Sequence, residues 1–519
     1  MNVLALWVEC PQLESVMNYW KRIGLLAVTS ALICSSAYAG KKDDTLVWVT
    51  KFEPPTYNYY DQTLREGVIL SRHIWDSLYW RDLETGEFKP HLATKMEYSN
   101  PTTIEITLRK DITFHNGEKF DADDVVFTIN EIINPEKKYK NRKLISWAKK
   151  AEKTGQYSVR LHLGKIFAPA MEMLSTAVVM YPNEYYQKVG KNGFARAPVG
   201  TGPYKAAEVV PGKHLALERN ESYFGGAKGK ANIGKVLMRF VDEPNTQIAE
   251  LMSGNADLIW RLNKEQGKKL NRVSGVGAVA GETMRVGYLQ FDSSGSTGDH
   301  PLKNIKVRKA ISHAIDRKSI AVNLQGGGQV LDLFCYPTQV GCESPNAPKY
   351  DYNPEKAKRL LAEAGYPNGL EIDFYAYRNR NFAEAMMGFM AKVGIKANLK
   401  YMKYSALREK VRKDEVPFNF MTWGSGSVND VFRITSYFFN HSYDDLALDP
   451  DVKKYLDAGD GTIVLADRKK NYSQALRLIA ERAHALPLFS YAYYYGMSDD
   501  LDFKTTPDEI VHLYRAKWK

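Results

Sequence analysis

The residues that could carry chemistry in this chain are widely scattered. Ten histidines run from His73 to His512, and no two stand three or four residues apart, the spacing at which a helix offers two imidazoles to one metal. No Gly-x-Ser-x-Gly elbow raises a serine nucleophile, and no glycine-rich loop ending in Lys-Ser or Lys-Thr cradles phosphate. Gly326-Gly327-Gly328 reads as a flexible turn. Carboxylates are plentiful, but a pair facing one cleft leaves no mark in sequence spacing. The expectation is therefore a protein without catalysis, cofactor or metal site, with a secreted hydrolase as the alternative from another class.

What the chain does concentrate is aromatic and small polar side chains. Trp423-Gly424-Ser425-Gly426-Ser427 follows the apolar run Phe418 to Met421, with Asn429 and Asp430 next. Phe489 to Tyr495 holds five aromatics, and Tyr57, Tyr59 and Tyr60 follow the first strand signal. A strand ending in glycine and serine lets backbone amides and hydroxyls approach a ligand, while aromatic rings supply apolar walls. Tyr57, Trp423, Gly424, Ser425, Ser427, Asn429 and Asp430 are therefore candidate ligand-binding residues.

The first 39 residues read as an export leader. Lys21 and Arg22 precede an apolar run from Ile23 to Cys34, and Ala37-Tyr38-Ala39 stands before Gly40; this is the layout of a cleaved secretory signal. The apolar run is about twelve residues, short of the ~20 that cross a bilayer. Residues 1–16 lack a basic start and read as an upstream start chosen in error, with Met17 the true beginning. Ile33 before Cys34 fits a lipoprotein site poorly, so lipidation is not expected. The mature chain would begin at Gly40 and work in the periplasm. Its two remaining cysteines, Cys335 and Cys342, are then expected to form a disulfide. The alternative is two unrelated buried thiols, and two thiolates alone would leave zinc half-coordinated.

The net charge is +11, but the bases are dispersed and interleaved with acids, a solvated surface rather than a nucleic-acid footprint. The length after removal of the leader exceeds one hydrophobic core and predicts two or three domains.

Local patterns predict the elements that must position the candidates. Thr45 to Thr50 and Ile104 to Leu108 read as strands. Asp121 and Asp124 open a helix through Val125 and Ile129 in capping-box style. Asn353 and Pro354 open another that Gly365 ends, and Val307 to Ile315 has the same apolar spacing. A helix near Ala383 to Val393 carries Met386, Met387 and Met390, which read as core. Strands at Leu370 to Phe374 and Ala397 to Tyr401 follow, an alternation that predicts α/β layers with a substantially parallel sheet. With no flexible linker, two lobes would be joined by strands, and Arg285 to Phe291 and Leu486 to Tyr491 are the predicted crossings.

Several motifs resemble family 5 of the extracellular solute-binding proteins, the periplasmic receptors of peptide and nickel ABC importers. They are Leu108-Arg109 through Phe114-His115-Asn116-Gly117 with Phe120, Ala122, Asp124-Val125 and Phe127-Thr128; Gly200-Thr201-Gly202-Pro203-Tyr204; Arg219-Asn220 with Tyr223-Phe224; Val307 to Ile311 with Ala314 to Arg317; and Tyr352 to Ala357 with Leu360-Leu361.

The resemblance implies a two-lobed periplasmic binding protein fold, class II in type, with an extra inserted domain and the ligand in the cleft. Lobe I would comprise residues 40–75, 195–286 and 489–519, the inserted subdomain 76–194, and lobe II 287–488. It implies a monomer that captures a solute, most simply a peptide, and delivers it to permease subunits and their ATPase. His115 and Asp124 become structural. Peptide receptors of the family hold the peptide amine with an aspartate where this chain has Ser427, so Asn429 or Asp430 would have to take over. Arg378 and Arg380 are candidates for the arginine aimed at the peptide carboxylate. An acidic solute other than a peptide, or chelated nickel, is the rival within the family.

Overall fold

The computed structural model describes residues 40–519. The expected leader, its cleavage point and the start at Met17 lie outside the described residues. Ten strands form one sheet in the order Ile395–Tyr401, Leu370–Ala376, Phe418–Trp423, Val276–Phe291, Ala485–Ser498, Leu258–Leu262, Thr45–Thr50, Lys235–Phe240, His214–Arg219 and Tyr204–Val210. The first three are mutually parallel, as is Thr45–Thr50 with its two neighbours. All other pairs are antiparallel. The sheet is thus mixed rather than substantially parallel, because the chain runs through its middle once in each direction.

Those two central passes, Val276–Phe291 and Ala485–Ser498, pair along most of their length and contain the two segments expected to be crossings. One joins Phe418–Trp423 through residues 286–291; the other joins Leu258–Leu262 through Tyr494 to Met497. Between Glu282 and Val286 three residues face the single Tyr491. This bulge turns Arg285 out of the ladder while the strand continues. Pro487 falls at a second register shift, where a missing N–H is tolerated.

The helices form where their caps are. Asp121 accepts from Asp123 N, and its own N–H donates to Asp124 (2.9 Å), opening Ala122–Ile133. Asp124 also accepts from Asn183 N (2.8 Å), and burial lifts its carboxyl to about 7. Asn353 caps Pro354–Glu363, and Gly365 ends it at φ +93°. Met386 and Met390 of Arg380–Ala391 are buried with Phe374, Phe418 and Phe489 in the core on that side of the sheet. A separate antiparallel sheet of Ala93–Asn100, Thr103–Leu108, Ser158–Leu163 and Ala148–Gly155 packs against Ala122–Ile133.

Cys335 and Cys342 are bridged, with Cα atoms 5.8 Å apart. The bridged loop braces the chain after Trp423: Gln339 donates to Ser425 Oγ (3.0 Å) and Val428 O (3.1 Å), and Val340 N donates to Asn429 O (3.0 Å).

The triple glycine is packed rather than free. Gly328 has φ +76°, and a Cβ there would stand 2.0 Å from Ser490 O on the crossing strand. Gly328→Ala is expected to destabilise the fold by about 1–3 kcal/mol, read as a lower midpoint in thermal or urea denaturation.

Candidate functional site

Two bulges and two loops bring charge to the middle of the sheet. Arg285 projects from the bulge described above. Arg261 projects from a second one, where the pairing of Leu258–Leu262 slips between Ile259 and Leu262; its φ is +61°. Arg65 begins the helix Arg65–Ile74. Glu509 enters from the C-terminal segment. Glu509 accepts from Arg285 Nε (2.7 Å) and Nη2 (2.9 Å) and from Arg65 Nη2 (2.7 Å). Its side chain is only 2% exposed. Burial pushes its carboxyl up, but Arg285 and Arg65 outweigh burial and hold it at about 2. Arg261 bonds Glu66 Oε1 at 2.9 Å.

Arg378 is half-buried here without a carboxylate. It donates to Thr422 Oγ1 (3.0 Å), Tyr493 OH (3.3 Å) and Asn379 Oδ1 (3.2 Å), and lies 5.2 Å from the Tyr491 ring. Burial raises the Tyr493 phenol, yet Arg378 and Arg285 bring it below its ordinary value. Arg65, Arg261, Arg285 and Arg378 thus face two carboxylates, Glu66 and Glu509, so positive charge is in excess. Arg261, Arg378, Asn379, Tyr491 and Tyr493 also line a cavity of about 590 Å³.

Backbone conformation is unusual at the same place. Arg261, Asn379, Ser425, Ser427 and Glu509 all have φ between +49° and +67°, a region that non-glycine residues enter at a cost of order 1–3 kcal/mol.

The sequence candidates divide. Gly424 lies against the charged cluster: a Cβ would stand 2.8 Å from Arg285 Nη2 and 3.1 Å from both Arg65 Nη2 and Glu509 Oε2. Ser427 Oγ accepts from Arg65 and donates to Asp508 O. The Trp423 ring packs on Tyr437 (4.7 Å) and Phe438 (5.6 Å), and its buried indole N–H has no partner. Ser425 accepts from Gln339 and braces the loop. Asn429 N donates to Glu172 Oε1 (2.8 Å), and its Oδ1 accepts from Thr338 (3.3 Å).

Asp430 is already paired with buried Arg468 (2.9 and 3.0 Å) and caps Phe432 N (3.1 Å). Burial lifts its carboxyl to about 6 despite Arg468, so it is not free to receive an amine. Arg380 lies on the surface, bonded to Glu384 at 2.8 Å and over the Tyr401 ring. Tyr57 donates to Glu53 (3.2 Å) and not to a residue of the arginine cluster.

Sequence reading missed Arg65, Arg261, Arg285, Glu509, Thr422 and Tyr493. The available signals were Arg285 inside an apolar crossing strand and Tyr493 inside the aromatic run.

Residues 87–445 match the family model of bacterial extracellular solute-binding proteins, family 5. The chain belongs to that family. Heme-binding protein A of Haemophilus influenzae is 26% identical over 80% of this chain and 82% of its own. Glutathione-binding protein GsiB of Salmonella paratyphi A is 27% identical over 74% and 73%. Among solved structures, the binding protein AgaA of A. tumefaciens in complex with agropinic acid is 25% identical, with a TM-score of 0.73 over 92% of this chain and 99% of that one. Like such proteins, this family member is a two-lobed α/β receptor around one large sheet, and its members are extracellular. Among the described residues no helix is long and apolar enough to cross a membrane, and no group of three His, Cys, Asp or Glu side chains is placed to hold a metal.

Glu509 lies at about 2 in the fold against an ordinary 4.5, so the unfolded chain takes up its proton at higher pH. Its stabilisation is present above pH 4.5 and is lost as pH falls from there towards 2. Glu509→Gln would strand two buried guanidiniums and should cost about 3–5 kcal/mol at neutral pH. Denaturation curves from pH 7 to pH 2 should show a large deficit for the variant that narrows towards the acid end.

Proposed function

We propose that this protein captures a small, acidic, peptide-like solute in the periplasm and hands it unaltered to the permease subunits of an ABC importer, working as a monomer after removal of its leader. In this reading residues 40–75, 195–286 and 489–519 form lobe I, residues 76–194 the inserted subdomain and residues 287–488 lobe II, and the solute lies between them. The observation that carries the reading is Arg378, a half-buried guanidinium on the wall of the cavity with hydroxyl and amide partners but no carboxylate. A buried charge lacking its counter-ion is unfavourable by several kcal/mol. A solute carboxylate would meet it in the paired geometry that guanidinium suits, and would favour the closed arrangement of the lobes.

The amine side supports the same choice. The position where the resemblance places an amine-holding aspartate is Ser427, bonded to Arg65, and the neighbouring Asp430 is taken by Arg468. A free α-ammonium at that point would face a guanidinium. The ligands named for two relatives, glutathione and agropinic acid, both bear acids, which supports the acid side of the reading; glutathione also keeps a free α-ammonium and does not bear on the amine side.

Native mass spectrometry of protein purified from the periplasm should show a retained guest of net negative charge. Calorimetry with that guest should find that Arg378→Gln loses at least about tenfold in affinity, the scale of one charge-assisted hydrogen bond, while Arg380→Gln leaves affinity unchanged. A neutral guest, or one indifferent to Arg378→Gln, would refute the reading.

A further inference from the structure

A second cavity, of about 390 Å³, lies between one end of the four-stranded sheet and the helix Phe432–Phe438, and it shares no lining residue with the Arg378 cavity. Trp147 and Phe167 supply one wall. They flank the paired strands Ala148–Gly155 and Ser158–Leu163, whose register sets Ala148 opposite Leu163, and Gly164 N donates to Trp147 O (3.1 Å). Their rings stack 5.1 Å apart, 17° from parallel, and the Trp147 indole is pinned by its bond to Leu144 O (2.8 Å). The Phe167 ring meets Phe432 edge-on at 5.3 Å, which carries the wall onto the helix. Tyr437, further along that helix, and the exposed Tyr443 complete the aromatic lining.

Three cations share this cavity. Lys143 Nζ stands 5.5 Å from the Tyr437 ring and 5.4 Å from the Tyr443 ring, and Arg433 Cζ stands 5.1 Å from the same Tyr437 ring. Two positive charges thus converge on one ring, and Lys165 is the third. The lining holds no Asp or Glu. Among the described residues none of the three cations forms an ion pair, and Arg433 Nε is buried without a hydrogen-bond partner. Asp460, the acid that Lys165 acts on, lies outside the lining and accepts from Tyr472 OH. Lysines on the neighbouring strand are different: Lys150 is paired with Glu152 and Lys153 with Asp123.

Cations gathered without an acid favour an anion, and a guanidinium fork suits a carboxylate. Part-exposed aromatic rings favour a flat apolar partner that takes them out of water. A cavity of this size holds one small molecule. We propose that it is a second ligand site, separate from the Arg378 cavity, which takes a planar aromatic acid with its ring against Trp147, Phe167 and Tyr437 and its carboxylate on Arg433 and Lys143. Tyr437 packs on Trp423 (4.7 Å), and a Cβ at Gly426 would stand 3.8 Å from Arg433 Nε and Nη2. A guest held by Tyr437 and Arg433 would therefore also steady the Trp423 loop. The site goes beyond the acidic-solute reading and does not depend on it.

The test uses three probes on the full mature protein: 2-naphthoate, which has a ring and an acid; 2-naphthamide, which keeps the ring without the charge; and octanoate, which keeps the acid without the ring. Calorimetry should show 2-naphthoate binding to one site at least about tenfold more tightly than either of the others. Arg433→Gln should bring 2-naphthoate close to 2-naphthamide, and Trp147→Leu should narrow its lead over octanoate. Lys143→Gln, at an exposed position where folding is not at stake, should weaken 2-naphthoate at least about threefold and leave 2-naphthamide within about twofold. Arg378→Gln should leave 2-naphthoate within about twofold. The site is overturned if none of the probes binds, if 2-naphthoate has no lead over both of the others, or if Lys143→Gln and Arg433→Gln leave its affinity unchanged. Binding of 2-naphthoate that Arg378→Gln abolishes while Lys143→Gln does not would place the probe in the first cavity, overturning the second site while the acidic-solute reading stands.

Discussion

One carboxylate between two guanidiniums governs the centre of this receptor. Glu509 arrives from the last segment of the chain and joins Arg285, on the bulge of a crossing strand, to Arg65, at the start of a helix packed on the other half of the sheet. The three side chains are almost wholly buried, so the attraction is little screened. One negative charge cannot neutralise two positive ones. Burial and the neighbouring arginines lower the proton affinity of Arg65 even with Glu509 beside it. The deficit is built into the fold, because the left-handed backbone at Arg261, Ser427 and Glu509 is tolerated only where surrounding contacts hold it.

The two long central strands explain how Arg285 reaches the charge cluster. A regular ladder would send alternate side chains to the two faces of the sheet. The bulge at Thr283 to Arg285 breaks that alternation and turns one side chain into the cleft, while Thr283 Oγ1 bonds Tyr491 O (2.8 Å) and Met284 N bonds Pro507 O (2.7 Å). Those bonds satisfy backbone groups the bulge removes from the ladder. Across the cleft, the disulfide loop does the same for the Trp423 turn through Gln339. Each wall is therefore fixed by its own local contacts.

Legibility in the sequence followed range. Caps at Asp121 and Asn353, the glycine stops and the alternation in Thr103–Leu108 are local signals, and the elements stand where those signals fall. The Trp423 to Asp430 stretch was visible as a whole because it is contiguous. Arg285 and Glu509 are separated by 224 residues, and nothing in either neighbourhood marks the partner. Asp430 was open as an amine partner until Arg468, 38 residues on, claimed it. Arg380 was the reverse case: Glu384 stands four residues later on the same helix, a surface pairing that spacing alone could suggest. The sheet is less parallel than βα alternation suggests, because that alternation fixes one parallel trio on each side of the centre but says nothing of the two long antiparallel passes between them or of the antiparallel strands His214–Arg219 and Tyr204–Val210 at one edge.

If the proposed solute is right, charge excess would account for its selection without any shape argument. A zwitterionic peptide brings one charge of each sign. On the proposed reading its acid would meet the spare guanidinium of Arg378, while its ammonium, at the position of Ser427, would be left without a carboxylate, a penalty comparable to the gain. An acid without a free amine at that point avoids the penalty. Discrimination then comes from what the site lacks as much as from what it offers. Ser427 is central to this proposal: a hydroxyl can satisfy Arg65 and the Asp508 carbonyl at once, whereas an aspartate there would neutralise part of the positive charge on which the proposed choice depends.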